Sequence, residues 1–182
     1  IDYKESHFNM VRPGLVIYGL YPKENLSASR HSGIPPLAGK TGSRNMRERI
    51  KLLPVLSLKT RVVFVKRLPA GYGVSYGHDY ITKKETTIVT LPVGYGDGYP
   101  RNLSNEAWVL IRGRRFKIAG RICMDQVMVD VGDYRAKIGN EVVLIGSQGK
   151  GKITAEELAH LSRTIPYEIV CGLGSRIPRI YI

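Results

Sequence analysis

A chain of 182 residues suffices for one ordinary domain with an appendage and a well-buried core. Its 43% hydrophobic fraction fits a soluble globular protein; no apolar run approaches the roughly 20 residues that span a bilayer, and the first residues lack the basic-then-apolar layout of a signal peptide, which argues against membrane-embedded and secreted classes. The net charge of +13 is unevenly placed: Arg30 to Arg67 hold ten Lys or Arg against one acid, Glu48, so +9 of it lies there, as a solvated face, a draw for anionic metabolites or a nucleic-acid surface.

In chain order, Leu15-Val16-Ile17-Tyr18 is a continuous apolar run that reads as a strand buried on both faces, with no helix or parallel partner before it, so the chain is expected to begin inside a fold. Residues 23–54 are rich in Ser, Gly, Pro and basic side chains and read as a connector, with a short helix near Asn45 to Leu52. From there the texture is β. Alternation over Leu56 to Phe64 predicts a half-buried strand, followed by strands over Thr87 to Val93, Ala107 to Arg112, Arg115 to Ala119, Gln126 to Val131 and Glu141 to Ile145, with a hairpin turn at Gly113. One helix is signalled by the Thr154/Glu157 capping box and is expected to stop at Pro166. Many short strands separated by turns predict a compact β-barrel or sandwich.

The candidate chemistry is sparse. Cys123 and Cys171 lie far apart and outside any C-x-x-C pair, which predicts reduced thiols and a cytoplasmic setting, and the four histidines have no metal-ligand spacing, so no metal site is expected. Gly146 to Lys152 imitates a phosphate-binding loop, but Ile153 stands where a magnesium-binding hydroxyl belongs, so a plain hairpin loop is expected. Two tyrosines stand beside glycines, Tyr76 in Val74-Ser75-Tyr76-Gly77 and Tyr95 in Gly94-Tyr95-Gly96-Asp97-Gly98-Tyr99; such backbones turn tightly and approach ligands closely, and they also build ordinary turns. Arg12 before Pro13-Gly14 could hold a cofactor atom while the N–H groups of Gly14 and Leu15 face a phosphate, or could serve a structural ion pair. Arg121-Ile122-Cys123-Met124-Asp125-Gln126 packs a cation, a turn and a carboxylate into six residues, and Tyr167 follows Pro166.

These segments, with Leu53 to Thr60 and Arg176-Ile177-Pro178-Arg179, occur in an order that resembles the C-terminal part of the alanine racemase family, pyridoxal-phosphate enzymes with an N-terminal α/β barrel and a C-terminal β domain. The resemblance implies a mainly β fold: a β-barrel-like C-terminal domain at 53–182, preceded by a connector at 23–52 and, at 1–22, the last strand of a truncated α/β barrel. It implies that Tyr76 moves the α-proton on one face of a substrate aldimine. It further implies that Arg12 donates to the pyridine nitrogen, that Gly14, Leu15 and Tyr167 hold the phosphate, that Met124 meets the substrate carboxylate, and that Tyr95 stands in the approach corridor with Arg101, Arg121 and Ile165 nearby. The family's Schiff-base lysine motif has no counterpart among these residues, so the chain is expected to be a C-terminal piece, inactive alone, of a homodimeric enzyme whose active sites are shared between subunits and whose D-alanine serves peptidoglycan. Two alternatives stay open: a racemase for serine or another small amino acid, and a basic β-barrel that binds nucleic acid, against which speaks the lack of stacking aromatics in the basic block.

Overall fold

The computed structural model describes residues 14–20 and 52–182. The chain divides into two compact units, Ile1–Val55 and Leu56–Ile182. Arg12, most of the basic block and the expected helix near Asn45 lie outside the described residues.

In the first unit, Gly14–Tyr18 forms a 3-10 helix rather than the expected strand, with Leu15 and Leu20 buried and Ile17 and Tyr18 exposed. An unbroken apolar run carries no period, so it does not distinguish strand from helix. The backbone decides: a strand needs a neighbour for its polar groups, and among the described residues no strand of this unit lies beside 14–20. Local bonds close instead, Leu20 N–H to Leu15 O at 3.3 Å and Val55 N–H to Tyr18 O at 3.2 Å.

The second unit is mainly β. Its described strands are β1 (Leu58–Arg61), β2 (Phe64–Leu68), β3 (Gly73–Val74), β4 (Tyr80–Ile81), β5 (Thr86–Leu91), β6 (Trp108–Ile111), β7 (Arg114–Ile118), β8 (Val127–Gly132), β9 (Glu141–Gln148) and β10 (Gly151–Ile153). Eight of them form one sheet along the path β1-β9-β6-β7-β8-β5-β2, with β10 beside β9, every pairing antiparallel. The two ends of that path are consecutive in the chain. Val62 donates to Asn140 O on the β9 side and Val63 to Thr90 O on β5, each at 3.0 Å, so the chain turns one corner between the two margins and the sheet curls round in a barrel-like way. The single strand expected over Leu56 to Phe64 is therefore two strands with different partners. An alternating pattern marks which side chains point inward and is blind to a corner that keeps the alternation.

Alternation is clearest in β8, where Val127, Val129 and Val131 are buried between half-buried neighbours. In β9 four successive residues, Val142 to Ile145, are buried. These side chains fill the barrel with Val109, Leu110, Ile111 and Ile118 from the β6–β7 hairpin, which turns at Gly113 as expected. The phosphate-loop lookalike is the tight β9–β10 hairpin, in which Gln148 faces Gly151.

Helix α1 (Ala155–Leu161) opens as its capping box predicts, with Thr154 Oγ1 accepting from Glu157 N–H at 3.1 Å. Its end differs from the expectation. The helix stops at Ser162, before Arg163 with φ +56°, and Pro166 is instead the first residue of α2 (Pro166–Cys171), where a missing N–H costs nothing. Among the described residues no helix is long and apolar enough to cross a membrane.

Candidate active site

Three loops of the second unit converge. The first is the Ser75–Asp79 turn, spanned by the β3–β4 hairpin, in which Gly73 pairs with Ile81 and Val74 with Tyr80. The second, Ile122–Gln126, joins β7 to β8 and is closed by Cys123 N–H donating to Gln126 O at 2.9 Å. The third is the 3-10 turn Tyr95–Asp97 after β5, whose Asp97 carboxylate accepts from Gly94 N–H at 2.9 Å. Tyr95 N–H donates to Cys123 O at 3.0 Å and Gly96 N–H to Met124 O at 2.9 Å, so the third loop is stitched to the second through backbone. Arg176 adds a side-chain staple between them, pairing with Asp97 at 3.4 Å and with Asp125.

Ser75, Tyr76, Cys123, Met124, Asp125, Gln126 and Met128 line an open cleft of about 510 Å³. Tyr76 is 73% exposed, and its hydroxyl makes no hydrogen bond among the described residues. The preceding residue carries the strain: Ser75 has φ 67° and ψ 179°, a region that is essentially glycine's, and holding an L side chain there costs on the order of 1–3 kcal/mol. Such strain is kept where the surroundings over-determine it, and here Ser75 Oγ donates to Arg121 O at 2.6 Å. Met124 offers its backbone. Its carbonyl is taken by Gly96, while its N–H makes no hydrogen bond among the described residues.

Beneath the cleft, Tyr80 and Met128 pack against Leu68, Val74, Ile88 and Ala119. The Asp130 carboxylate accepts from Tyr80 Oη, Thr86 Oγ1 and Gly132 N–H, the last at 2.8 Å. Burial, and then the hydrogen bond to Asp130, push the Tyr80 phenol up to about 12 from its ordinary 10. A raised folded value means that the proton's stabilising contribution is complete below about pH 10 and is lost as pH climbs from there towards 12. An ultraviolet titration of tyrosinate is expected to show a late-titrating phenol that disappears in Tyr80→Phe; an unchanged high-pH phase in that variant would refute the assignment. Burial pushes Tyr99 up as well, so a late phase from Tyr99 is expected to persist.

Of the residues singled out from sequence, Tyr76 and Met124 share the cleft, and Tyr95 stands exposed on the adjoining turn. Tyr167 sits exposed in the first turn of α2, and Gly14 and Leu15 open the 3-10 helix of the other unit. Arg12 lies outside the described residues. Sequence reasoning missed the Ser75 hydroxyl, Asp79, Gln126 and Met128. A polar residue three positions after Tyr76 in a glycine turn was the one available signal for Asp79. Cys123 and Cys171 are both free, and no group of His, Cys, Asp or Glu among the described residues is arranged to hold a metal.

Comparison with known proteins gives this arrangement a family. The family described as alanine racemase, C-terminal domain, matches residues 55–181. The alanine racemase of Halothermothrix orenii is 48% identical over all 182 residues, which cover 43% of that protein, and the alanine racemase of Symbiobacterium thermophilum is 49% identical over 97% of this chain and 42% of its own length. Among solved structures, the alanine racemase from Bacillus anthracis with bound L-Ala-P superposes with a TM-score of 0.82 at 37% identity, covering 99% of this chain and 42% of that one. The chain thus spans less than half the length of the relatives it matches. With its mainly β second unit, its ordered motifs and a similarity to these relatives that runs along nearly all of its own residues, the chain belongs to the alanine racemase C-terminal domain family.

Proposed function

We propose that this chain is the tyrosine-bearing part of an alanine racemase that interconverts L- and D-alanine with pyridoxal phosphate, supplying D-alanine for peptidoglycan. The observation that carries the reading is the shared cleft, lined by both Tyr76 and Met124, whose phenol and N–H make no hydrogen bond among the described residues. Within it Tyr76 exchanges a proton between its oxygen and the substrate Cα on one face. The Met124 N–H orients the substrate carboxylate, and Tyr95, held over the same loop, narrows the approach with Arg101, Arg121 and Ile165. The exposed phenol and open cleft suit a group that works in the active site of a partner subunit, so the enzyme is read as a homodimer with shared sites, and its two free cysteines suit a cytoplasmic setting.

The cofactor's donors fit a phosphorylated ring in their chemistry. Gly14 and Leu15 begin a 3-10 helix, where the leading N–H groups have no partner within the helix, and Tyr167 presents an exposed phenol; both are suited to phosphate oxygens. Arg12 would serve the ring nitrogen, and because a guanidinium does not release its proton, it would leave that nitrogen unprotonated. When bound, pyridoxal phosphate supplies the electron sink that makes the substrate α-proton removable. No lysine here stands in the family's Schiff-base motif, so the 182-residue chain is expected to form no D-alanine on its own. The test is steady-state racemisation by the intact cofactor-loaded enzyme on L-alanine and L-serine. Higher kcat/KM for alanine supports the reading, whereas preference for serine, or no racemisation of either, overturns it.

A further inference from the structure

The turn that carries Tyr76 is held at both ends by one neighbouring segment, and Tyr76 itself takes no part in the holding. Ahead of Tyr76, the Ser75 hydroxyl donates to the carbonyl of Arg121 at 2.6 Å. Behind it, the guanidinium of the same Arg121 donates to the Asp79 carboxylate through Nε and through Nη2, the latter at 3.2 Å, in a two-pronged pair. Asn105 ties the same two strips of chain, accepting from Gly120 N–H at 2.6 Å and donating to the carbonyl of Asp79 at 3.4 Å. The strips are pressed together so closely that a Cβ on Gly120 would lie 2.6 Å from Ser75 Cβ and 2.8 Å from Val74 O.

We propose that Asp79, through its two-pronged pair with Arg121, is a positioning residue for Tyr76, and that the Ser75 hydroxyl is its counterpart on the other side of the phenol. The proposal rests on the reading of Tyr76 as the proton-transfer group. The pair is partly exposed, with 43% of the Arg121 and 34% of the Asp79 side chain accessible, and ion pairs so placed contribute little to stability. What it does supply is direction. Residues 76–78 sit between the two anchor points, with Gly77 at φ 72° and His78 at φ 51°, in a single 3-10 turn closed by one long bond from His78 N–H to Ser75 O at 3.3 Å, with no longer ladder to hold it. Releasing one anchor leaves the phenol free to swing. A misplacement of about 1 Å between reacting atoms can cost on the order of a hundredfold in rate.

The test compares Asp79→Asn, Asp79→Glu, Ser75→Ala and Tyr76→Phe in the intact, cofactor-loaded enzyme. Asp79→Asn and Ser75→Ala are each expected to lower kcat about tenfold while KM changes less than about twofold and the melting temperature stays within a few degrees. Asp79→Glu, which keeps the charge, is expected to recover part of the loss. Because Tyr76 removes the proton from one enantiomer only, α-deuteration should slow the Asp79→Asn enzyme more than the parent with that enantiomer and not with the other. A merely structural role would leave that asymmetry unmoved. If Asp79→Asn and Ser75→Ala retain parental kcat and isotope effects while Tyr76→Phe is crippled, the positioning role is wrong and the reading of Tyr76 survives. If Tyr76→Phe itself turns over normally, the reading fails, and the positioning role falls with it.

Discussion

Tyr76→Phe in the intact enzyme is expected to reduce turnover at least a hundredfold in both directions, the usual contribution of a positioned acid/base group. The substitution removes one oxygen and leaves the ring. Since the side chain is largely exposed and its hydroxyl bonds to nothing among the described residues, stability should change by no more than about 0.5 kcal/mol. KM should stay near its parental value, because in this reading the phenol meets the reacting carbon and the Met124 N–H meets the carboxylate. Both directions must suffer, since a group that takes the proton from one enantiomer must return it when the reaction runs backwards. Near-normal turnover with either enantiomer would remove Tyr76 from the chemistry.

Gly94→Ala is expected to damage both the fold and the cleft. Gly94 has extended dihedrals that any residue can adopt, so conformational strain is not the obstacle. The obstacle is space: a Cβ there would lie 2.2 Å from Cys123 O and 2.3 Å from Met124 O, and both are backbone atoms that cannot swing aside. The methyl group must force apart the loops joined by the bonds from Tyr95 N–H to Cys123 O and from Gly96 N–H to Met124 O. Overpacking together with the loss of two hydrogen bonds should lower stability by about 3 kcal/mol. The displaced Met124 backbone should also raise KM for the substrate, which separates this variant from Tyr76→Phe. Denaturant melts and steady-state kinetics check the two effects; a variant with parental stability and KM would show that the stitch between the loops does not position the site.

Much of the strand content was legible because the barrel is half-buried. In β8, Val127, Val129 and Val131 point inward and their neighbours outward, and the hydrophobic effect writes that alternation directly into the sequence. The β6–β7 hairpin and the Thr154 cap were legible for local reasons, a turn residue between two apolar runs and a side chain that satisfies an N–H three residues away. The corner at Val62-Val63 was not legible. It depends on which distant strand each residue meets, β9 through Asn140 or β5 through Thr90, and no local pattern encodes partners so far away. The same limit explains the strand expected at 15–18: its residues are apolar enough for a sheet, but a strand exists only beside another.

For the proposed site, the sequence by itself determined which residues were candidates. Tyr76, Tyr95 and Met124 stand in motifs whose order along the chain carries the family, and order is a one-dimensional property. Only the tertiary structure decided how they are held. Asp79 and Arg121 are 42 residues apart and Ser75 and Arg121 46 apart, yet they form the frame around Tyr76. Nor does the serine at 75 announce that its backbone will be held at φ 67°, because that conformation is imposed by contacts from Arg121 rather than preferred by the residue. Side-chain identity is local and can be read from a sequence, whereas strain and proximity are set by the packing of segments that only folding brings together.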